Sequence, residues 1–338
     1  MRKVTIGILG AGRIGKLHTS HIIKHLPQFQ IKTIADPSLD EAWFQKTGLS
    51  HGINNPDVVF NDNDIEAVLI CSPAPFHVEQ IIEAAHTGKH IFCEKPISLE
   101  IGPTIEAIKA VKRAKVKMQV GFNRRFDPNF SKIKKLIDDK AIGKPHLLRI
   151  TSRDPKIPPI DFLKLSGGMF GDMTIHDFDM ARFLMQSDID EIYASANVLI
   201  NPVFNEYDDI DTAIINLKFK NGCLGVIDNS RQAVYGYDQR IEVFGSKGAV
   251  QAENNKPTNT IVSTENGVLS DKPLYYFLER YESSFVAELN EFYECIVSGK
   301  EPCVSGRDGL YSTLVSIAAE QSRRENRPIK LNYDACQI

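Results

Sequence analysis

A histidine stands four residues after an aspartate in the run Gly167-Gly168-Met169-Phe170-Gly171-Asp172-Met173-Thr174-Ile175-His176-Asp177-Phe178-Asp179. The run reads as a helix opening from a glycine turn, and at about 3.6 residues per turn positions 172 and 176 fall on one face. A carboxylate beside an imidazole makes a proton-accepting unit, because it holds the ring and raises its basicity. The plain alternative is a satisfied helical pair without chemistry. A second chemical group opens the chain: Gly10-Ala11-Gly12-Arg13-Ile14-Gly15 follows a strand pattern directly and starts a helical one. In that setting the glycines permit a tight turn, the close approach of a pyrophosphate and the packing of helix on strand. The phosphates then rest on a helix N-terminus, where free N–H groups and the dipole favour anions. Gly10, Gly12, Arg13, Ile14 and Gly15 are therefore expected at a bound dinucleotide. Asp36 closes the next strand pattern, where an acid accepts hydrogen bonds from both ribose hydroxyls and repels a 2′-phosphate. No arginine follows in Pro37-Ser38-Leu39, so NAD is expected rather than NADP. The plain reading of Asp36 is a cap on the turn before Pro37.

Two further stretches would complete the cofactor rim. Cys71-Ser72-Pro73-Ala74-Pro75-Phe76-His77 follows an apolar strand, and its prolines stiffen a loop that would lie across the cofactor. Ser72 and Pro73 are expected there, while His77 either faces the cofactor or merely leads the next helix. Glu94-Lys95-Pro96 ends another strand, where a lysine can bring its ammonium near a substrate hydroxyl and the nicotinamide. Proline fixes the backbone that follows.

These groups need elements to position them. Strand patterns at 4–9, 31–35, 67–71, 90–93 and 117–120 alternate with helical ones at 14–25, 41–47, 78–87 and 102–114. Such alternation means βαβ units and a parallel sheet, whose ligand lies at the carboxyl ends of the strands. After about residue 123 long β-rich runs take over, at 147–152, 191–200, 212–219, 223–230 and 239–244, with turn signals at Asn221-Gly222 and Gly245-Ser246-Lys247-Gly248. Two helices, 276–298 and 308–325, close the chain. The fold class is α/β: a Rossmann-type doubly wound parallel sheet over residues 1–123, then an α+β domain over 124–338 built on a large open mixed or antiparallel sheet. Cys223-Leu224-Gly225-Val226-Ile227 looks apolar on both faces, which predicts a sheet covered by helices on one side and by another subunit on the other.

Composition excludes several classes. At 338 residues two domains are expected, and 42% hydrophobic with 25% charged residues is ordinary for a globular protein. A net charge of −3 makes no electrostatic case for nucleic acid or an anionic membrane. The N-terminus lacks a secretory pattern, and no apolar run approaches the roughly 20 residues that span a bilayer. The six cysteines are scattered without a C-x-x-C pair, so neither zinc nor a disulfide framework is indicated. A cytoplasmic, metal-free protein is expected.

Taken in order, the glycine signature, His77 after its proline-rich loop, Gly88-Lys89-His90-Ile91-Phe92-Cys93-Glu94-Lys95-Pro96 and the Gly167-Gly168…Asp172…His176 run resemble the glucose–fructose oxidoreductase/inositol dehydrogenase (Gfo/Idh/MocA) family over nearly the whole chain. The resemblance implies a catalytic lysine, aspartate and histidine, corresponding to Lys95, Asp172 and His176. His176 would take the proton of a ring hydroxyl, Asp172 would orient the imidazole, and Lys95 would hydrogen-bond the same oxygen. It also implies NAD-dependent oxidation of a cyclic polyol, most narrowly myo-inositol to its 2-keto form, in a tetramer formed through the C-terminal sheet. A polyol offers only hydroxyls, so Asn123, Arg125, Asp154, Thr174, His176 and Tyr235 are the substrate-binding candidates by motif position. Of the adjacent Arg124 and Arg125, the resemblance favours Arg125. Asp177 and Asp179 read as helix-surface or ion-pair carboxylates, with Arg182 as their partner. The alternatives are scyllo-inositol or an aldohexose as substrate, and, in another class, a non-catalytic NAD-binding sensor.

Overall fold

The computed structural model describes residues 2–164 and 166–338. Two compact units emerge: Met1–Asn123 with Ser283–Thr313 and Tyr333–Ile338, and Arg124–Glu282 with Leu314–Asn332.

In the first unit β1 (Val4–Leu9), β2 (Phe29–Ala35), β3 (Gly52–Ile53), β4 (Ala67–Ile70), β5 (His90–Glu94) and β6 (Met118–Gly121) pair in parallel in the order β3-β2-β1-β4-β5-β6. This is the doubly wound order, and its crossover between β1 and β4 is where such sheets open a ligand crevice. The strands are short and apolar because helices cover both faces; all four residues of β4 are buried. The helix Glu282–Ser298 belongs here too, because Leu289, Phe292, Tyr293 and Ile296 join the core formed by Val4, Ile6, Ile8, Phe29 and Phe92. The unit is thus assembled from three stretches rather than from residues 1–123 alone. The single closing helix expected over 276–298 is divided at Tyr281, which leaves helical geometry between Phe277–Arg280 and Glu282–Ser298.

In the second unit β7 (Pro145–Arg153), β8 (Ile189–Asn197), β9 (Thr212–Phe219), β10 (Leu224–Ser230), β11 (Asp238–Gly245), β12 (Gly248–Ala252) and β15 (Ile329–Lys330) form a sheet in the order β12-β11-β7-β10-β9-β8-β15. It is mixed: β7 and β10 run parallel, the other neighbours antiparallel. A small hairpin, β13 (Ile261–Thr264) and β14 (Gly267–Ser270), stands apart. The expected two-faced apolar strands resolve into alternation. In β9, Ala213, Ile215, Leu217 and Phe219 are buried while Ile214, Asn216 and Lys218 are exposed. The open face carries Leu147, Ile214, Leu224 and Phe244 among the pairs Arg149–Glu242 and Arg153–Asp228. The helix Pro128–Asp138 went unpredicted although its start signal is explicit: Asp127 accepts from the N–H groups of Asn129 and Phe130, and proline follows at the first helical position. No helix among the described residues is long and apolar enough to cross a membrane.

One polar knot sits in the first unit's core. His18 Nε2 lies 2.7 Å from Glu94 Oε1, and Glu288, fully buried, offers a carboxyl atom within 4.8 Å of both. Burial, and secondarily Glu94, pushes the Glu288 carboxyl well above its usual range, which favours its protonated form. A carboxyl raised in the folded state contributes its full stability below the unfolded value of about 4.3, and that contribution falls as pH rises above it. Glu288→Gln, permanently neutral, should therefore gain on the wild type as pH rises from 5 to 8. Thermal melts across that range check it: the variant's Tm minus that of the wild type should increase with pH, and a constant difference would show that Glu288 is ionised when folded.

Candidate active site

The cofactor end is built by the first unit's backbone. Gly10 adopts φ +93°, and a Cβ there would lie 2.6 Å from the Ser72 nitrogen, so only glycine closes this turn. Gly15 presses on the same loop, its hypothetical Cβ 2.0 Å from the Gly10 carbonyl oxygen. Gly12 is the opposite case: nothing lies within 4 Å of its would-be Cβ. It is the N-cap of the helix Arg13–His25, and no side chain among the described residues caps that terminus. Crowded backbone on both sides of an open, uncapped helix start is the cradle a pyrophosphate requires, so the residues present fit NAD.

The rim residues hold one another. Asp36 accepts from the Ala11 N–H at 2.6 Å and from the Ser38 N–H at 2.7 Å, so one carboxylate ties the glycine loop to the turn after β2. His77 is buried, with Nδ1 2.7 Å from the Pro96 carbonyl and Nε2 2.8 Å from the Ser72 carbonyl. It joins the loop Ser72-Pro73 to the end of β5, and burial holds its imidazole below the ordinary value. Ser72 donates to Gln80 at 2.6 Å. Glu94 turns its carboxylate inward to His18, while the half-buried Lys95 follows it through a cis peptide to Pro96. Asn123, the last residue of this unit's first stretch, is buried.

The proton-transfer pair belongs to the second unit. Gly167 and Gly168 both take positive φ, and Asp209 fills the space beside Gly168 while accepting from the Met169 N–H at 2.8 Å. The helix expected through positions 172 and 176 is interrupted: one ends at Asp172 (Gly168–Asp172) and the next is Ile175–Met185. The Thr174 N–H reaches back to the Met169 carbonyl, and the second helix restarts on the Thr174 carbonyl. Behind this break lies a buried polar chain. Thr174 donates to Asn229 Oδ1 at 2.7 Å, Asn229 Nδ2 donates to Asp177 at 3.0 Å, and Arg124 donates to Asp177 at 2.5 Å. Arg125 makes a two-pronged pair with Asp179 at 2.8 and 2.5 Å. Asp177 and Asp179 are thus buried ion-pair carboxylates, held by Arg124 and Arg125, and Arg182 pairs with Asp188. Burial raises the Asp177 carboxyl despite the guanidinium beside it.

Asp154 follows β7, and burial, offset in part by Arg231, pushes its carboxyl up to about 6. Tyr235 is 38% exposed; its hydroxyl donates to Asp238 at 2.5 Å and accepts from Arg153 at 3.1 Å. Asn229, Asp209 and Arg231 escaped the sequence reading. The available signal was a polar residue at an inward strand position: Asn229 follows Gly225 and Ile227 on the buried side of β10.

The fold and the site now define a class. A family model for oxidoreductases with an NAD-binding Rossmann fold matches residues 4–122, and one for the GFO/IDH/MocA C-terminal domain matches 130–251. The chain belongs to this family; it is an oxidoreductase with NAD as its cofactor. Among its relatives, the uncharacterised oxidoreductase YrbE of Bacillus subtilis is 48% identical, the match covering 98% of each chain. The myo-inositol 2-dehydrogenase of Thermotoga maritima is 45% identical over 96% of this chain and 98% of its own. The crystal structure of scyllo-inositol dehydrogenase from Lactobacillus casei, with NAD(H) and scyllo-inositol bound, superposes with a TM-score of 0.91 at 28% identity, covering 97% of this chain and 99% of that one.

The contrast among the glycines is directly testable. Gly12→Ala should leave Tm within about 2 °C, since its Cβ meets open space, yet weaken NADH binding by about tenfold or more. Gly15→Ala should lower Tm by about 5 °C or more through its clash with Gly10. NADH fluorescence titration and thermal melts read the two effects, and equal binding by Gly12→Ala would move the phosphates off this turn.

Proposed function

We propose that the chain oxidises a ring hydroxyl of an inositol, myo-inositol at its 2-position, with His176 as the base. The supporting observation is the half-buried His176 at the start of a helix anchored by two buried arginine–aspartate pairs, on a chain whose relatives include named inositol dehydrogenases. His176 takes the hydroxyl proton, and Asp172 orients the imidazole and balances the positive charge it acquires. Lys95 donates a hydrogen bond to the same oxygen as negative charge develops on it. Bound NAD accepts the hydride from the carbon. Asn123, Arg125, Asp154, Thr174 and Tyr235 are proposed to read the remaining hydroxyls. Arg125 is held by two nitrogens on Asp179, the Thr174 hydroxyl donates to Asn229, and the Tyr235 hydroxyl donates to Asp238 while accepting from Arg153, so each of the three is fixed in orientation.

NADH formation with myo-inositol, scyllo-inositol, D-chiro-inositol, glucose and galactose tests this reading. Turnover on myo-inositol should rise with pH, because the base must be deprotonated, and His176→Ala should lower kcat about a thousandfold with NAD still bound. Turnover only on another member would move the substrate; silence across the panel with NAD bound would favour the sensor.

A second copy of the chain is proposed to cover the open face of the mixed sheet, where Leu147, Ile214, Leu224 and Phe244 are 37–53% exposed. The tetramer implied by the family is the assembly expected. The double variant Leu224→Asp/Phe244→Asp should sediment as a smaller species than the wild type; an unchanged sedimentation coefficient would place the contact elsewhere.

A further inference from the structure

Among the described residues, the largest fully buried side chain is an arginine that none of the roles above uses. Arg231 follows the end of β10 and is 1% exposed. Its backbone N–H is fixed to the Asp211 carbonyl at 2.8 Å. Its Nη1 stands between two carboxylates from different elements: 3.3 Å from Asp172 Oδ2, at the end of the helix Gly168–Asp172, and 3.6 Å from Asp154 Oδ2, just after β7. Asp154 is in turn bracketed by the same strand end, its N–H donating to the Ser230 carbonyl and its carbonyl accepting from the Ala233 N–H. The guanidinium thus meets acids carried by the end of β7 and by the helix Gly168–Asp172.

Charge makes the arrangement necessary. Two carboxylates that face each other with no cation between them cannot both ionise cheaply, so one takes up a proton and the pair reorients around it. A buried guanidinium stays charged, and here a single nitrogen, Nη1, faces both acids. The shorter contact goes to Asp172, and it is Asp154 whose carboxyl burial pushes to about 6. The groups facing this cation are Asp154, Asp172 and, from the loop before β9, Asp209, whose charge also acts on Arg231. Arg124 acts on Asp154 from the other side, and Tyr237 feels Asp154.

We propose that Arg231 is a positioning residue for proton transfer: its guanidinium holds Asp172 in place as the partner of His176 and keeps Asp154 beside it. The proposal rests on the reading of His176 as the base. It makes the second strand of the parallel β7–β10 pair, and not only the helix that carries the histidine, part of the machinery that sets the base.

The test uses the full-length protein and three variants, Arg231→Lys, Arg231→Met and Asp154→Asn, each first checked for folding by circular dichroism and for NADH binding. Two readouts are taken. One is the acid limb of kcat/KM against pH with the substrate found active in the panel. The other is the pH dependence of carbethoxylation of His176 by diethyl pyrocarbonate, followed by peptide mass spectrometry. The second needs no substrate and so survives a wrong substrate assignment. Removing a neighbouring cation raises the pKa of every group it faces, so Arg231→Met should move both midpoints to higher pH by about half a unit or more. Arg231→Lys keeps the charge but ends one atom short of the Nη1 position that meets both acids, so its midpoints should stay put while kcat falls about tenfold and KM changes little. Asp154→Asn should leave the His176 midpoint within about a quarter of a unit, or lower it slightly, because Arg231 is then committed to Asp172. Should Arg231→Met fail to fold, Arg231→Lys decides by the drop in kcat. Folded variants with wild-type midpoints and wild-type kcat would overturn the proposal and leave Arg231 a structural cation.

Discussion

The second unit depends on how two neighbouring arginines are neutralised. Arg124 and Arg125 leave the first stretch of chain side by side, yet each is buried against its own aspartate, Asp177 and Asp179, on the helix that begins beside His176. Taking such charges out of water costs several kcal/mol per ion, and removing one partner of a buried pair costs about 3–5 kcal/mol because the other is left alone. The aromatic rings reinforce the placement: the Arg125 guanidinium lies 4.8 Å from the Phe183 ring centroid and that of Arg124 5.8 Å from Tyr281. A helix held by two such pairs cannot rotate or slide without uncovering a charge. The imidazole in its first turn inherits that fixity, and the chain Thr174–Asn229–Asp177 extends it to β10.

The cofactor half was legible because its logic is local. A strand, three glycines, a helix start and an acid at the next strand end lie within Val4–Asp36, and each glycine's role follows from backbone sterics that the short motif already encodes. The boundaries of β1, the helix Glu41–Thr47 and β9 matched for the same reason. What the pattern could not carry was partnership across long separations. Arg182 looked like the natural mate of Asp177 and Asp179 by helical spacing, but the real mates stand more than 50 positions earlier in the chain. Asp209, Asn229 and Arg231 were invisible individually; only folding brings them to the glycine turn, to Thr174 and to Asp172. The glycine pair misled in one respect. It announced a helix start correctly, but the helix that begins at Gly168 ends at Asp172 and a second begins at Ile175, with the Thr174 hydroxyl between them bonded to Asn229.

Local composition also overstated the apolar character of the large sheet. The run at 223–227 reads as hydrophobic throughout, yet in the pleat its residues divide between a packed face and an open one that mixes exposed leucine, isoleucine and phenylalanine with ion pairs. That mixture is itself informative. A purely apolar open face would associate with anything, whereas charged pairs between strands restrict a partner to a surface that leaves them solvated or meets them with its own.

The price of so many buried charges in one unit is conformational stability, since well-packed apolar residues of similar volume would often serve the fold as well or better. Arg280 with Asp127, Arg124 with Asp177, Arg125 with Asp179 and Arg231 between Asp154 and Asp172 are therefore poorly explained as devices for folding. What they do provide is polar side chains held in fixed positions. A proton-transfer site needs polar groups fixed before the substrate arrives, because any reorganisation during the reaction adds to its barrier. Apolar packing can fix a backbone, but it cannot decide which of two neighbouring carboxylates is charged. A guanidinium can, and in this chain one stands between Asp154 and Asp172.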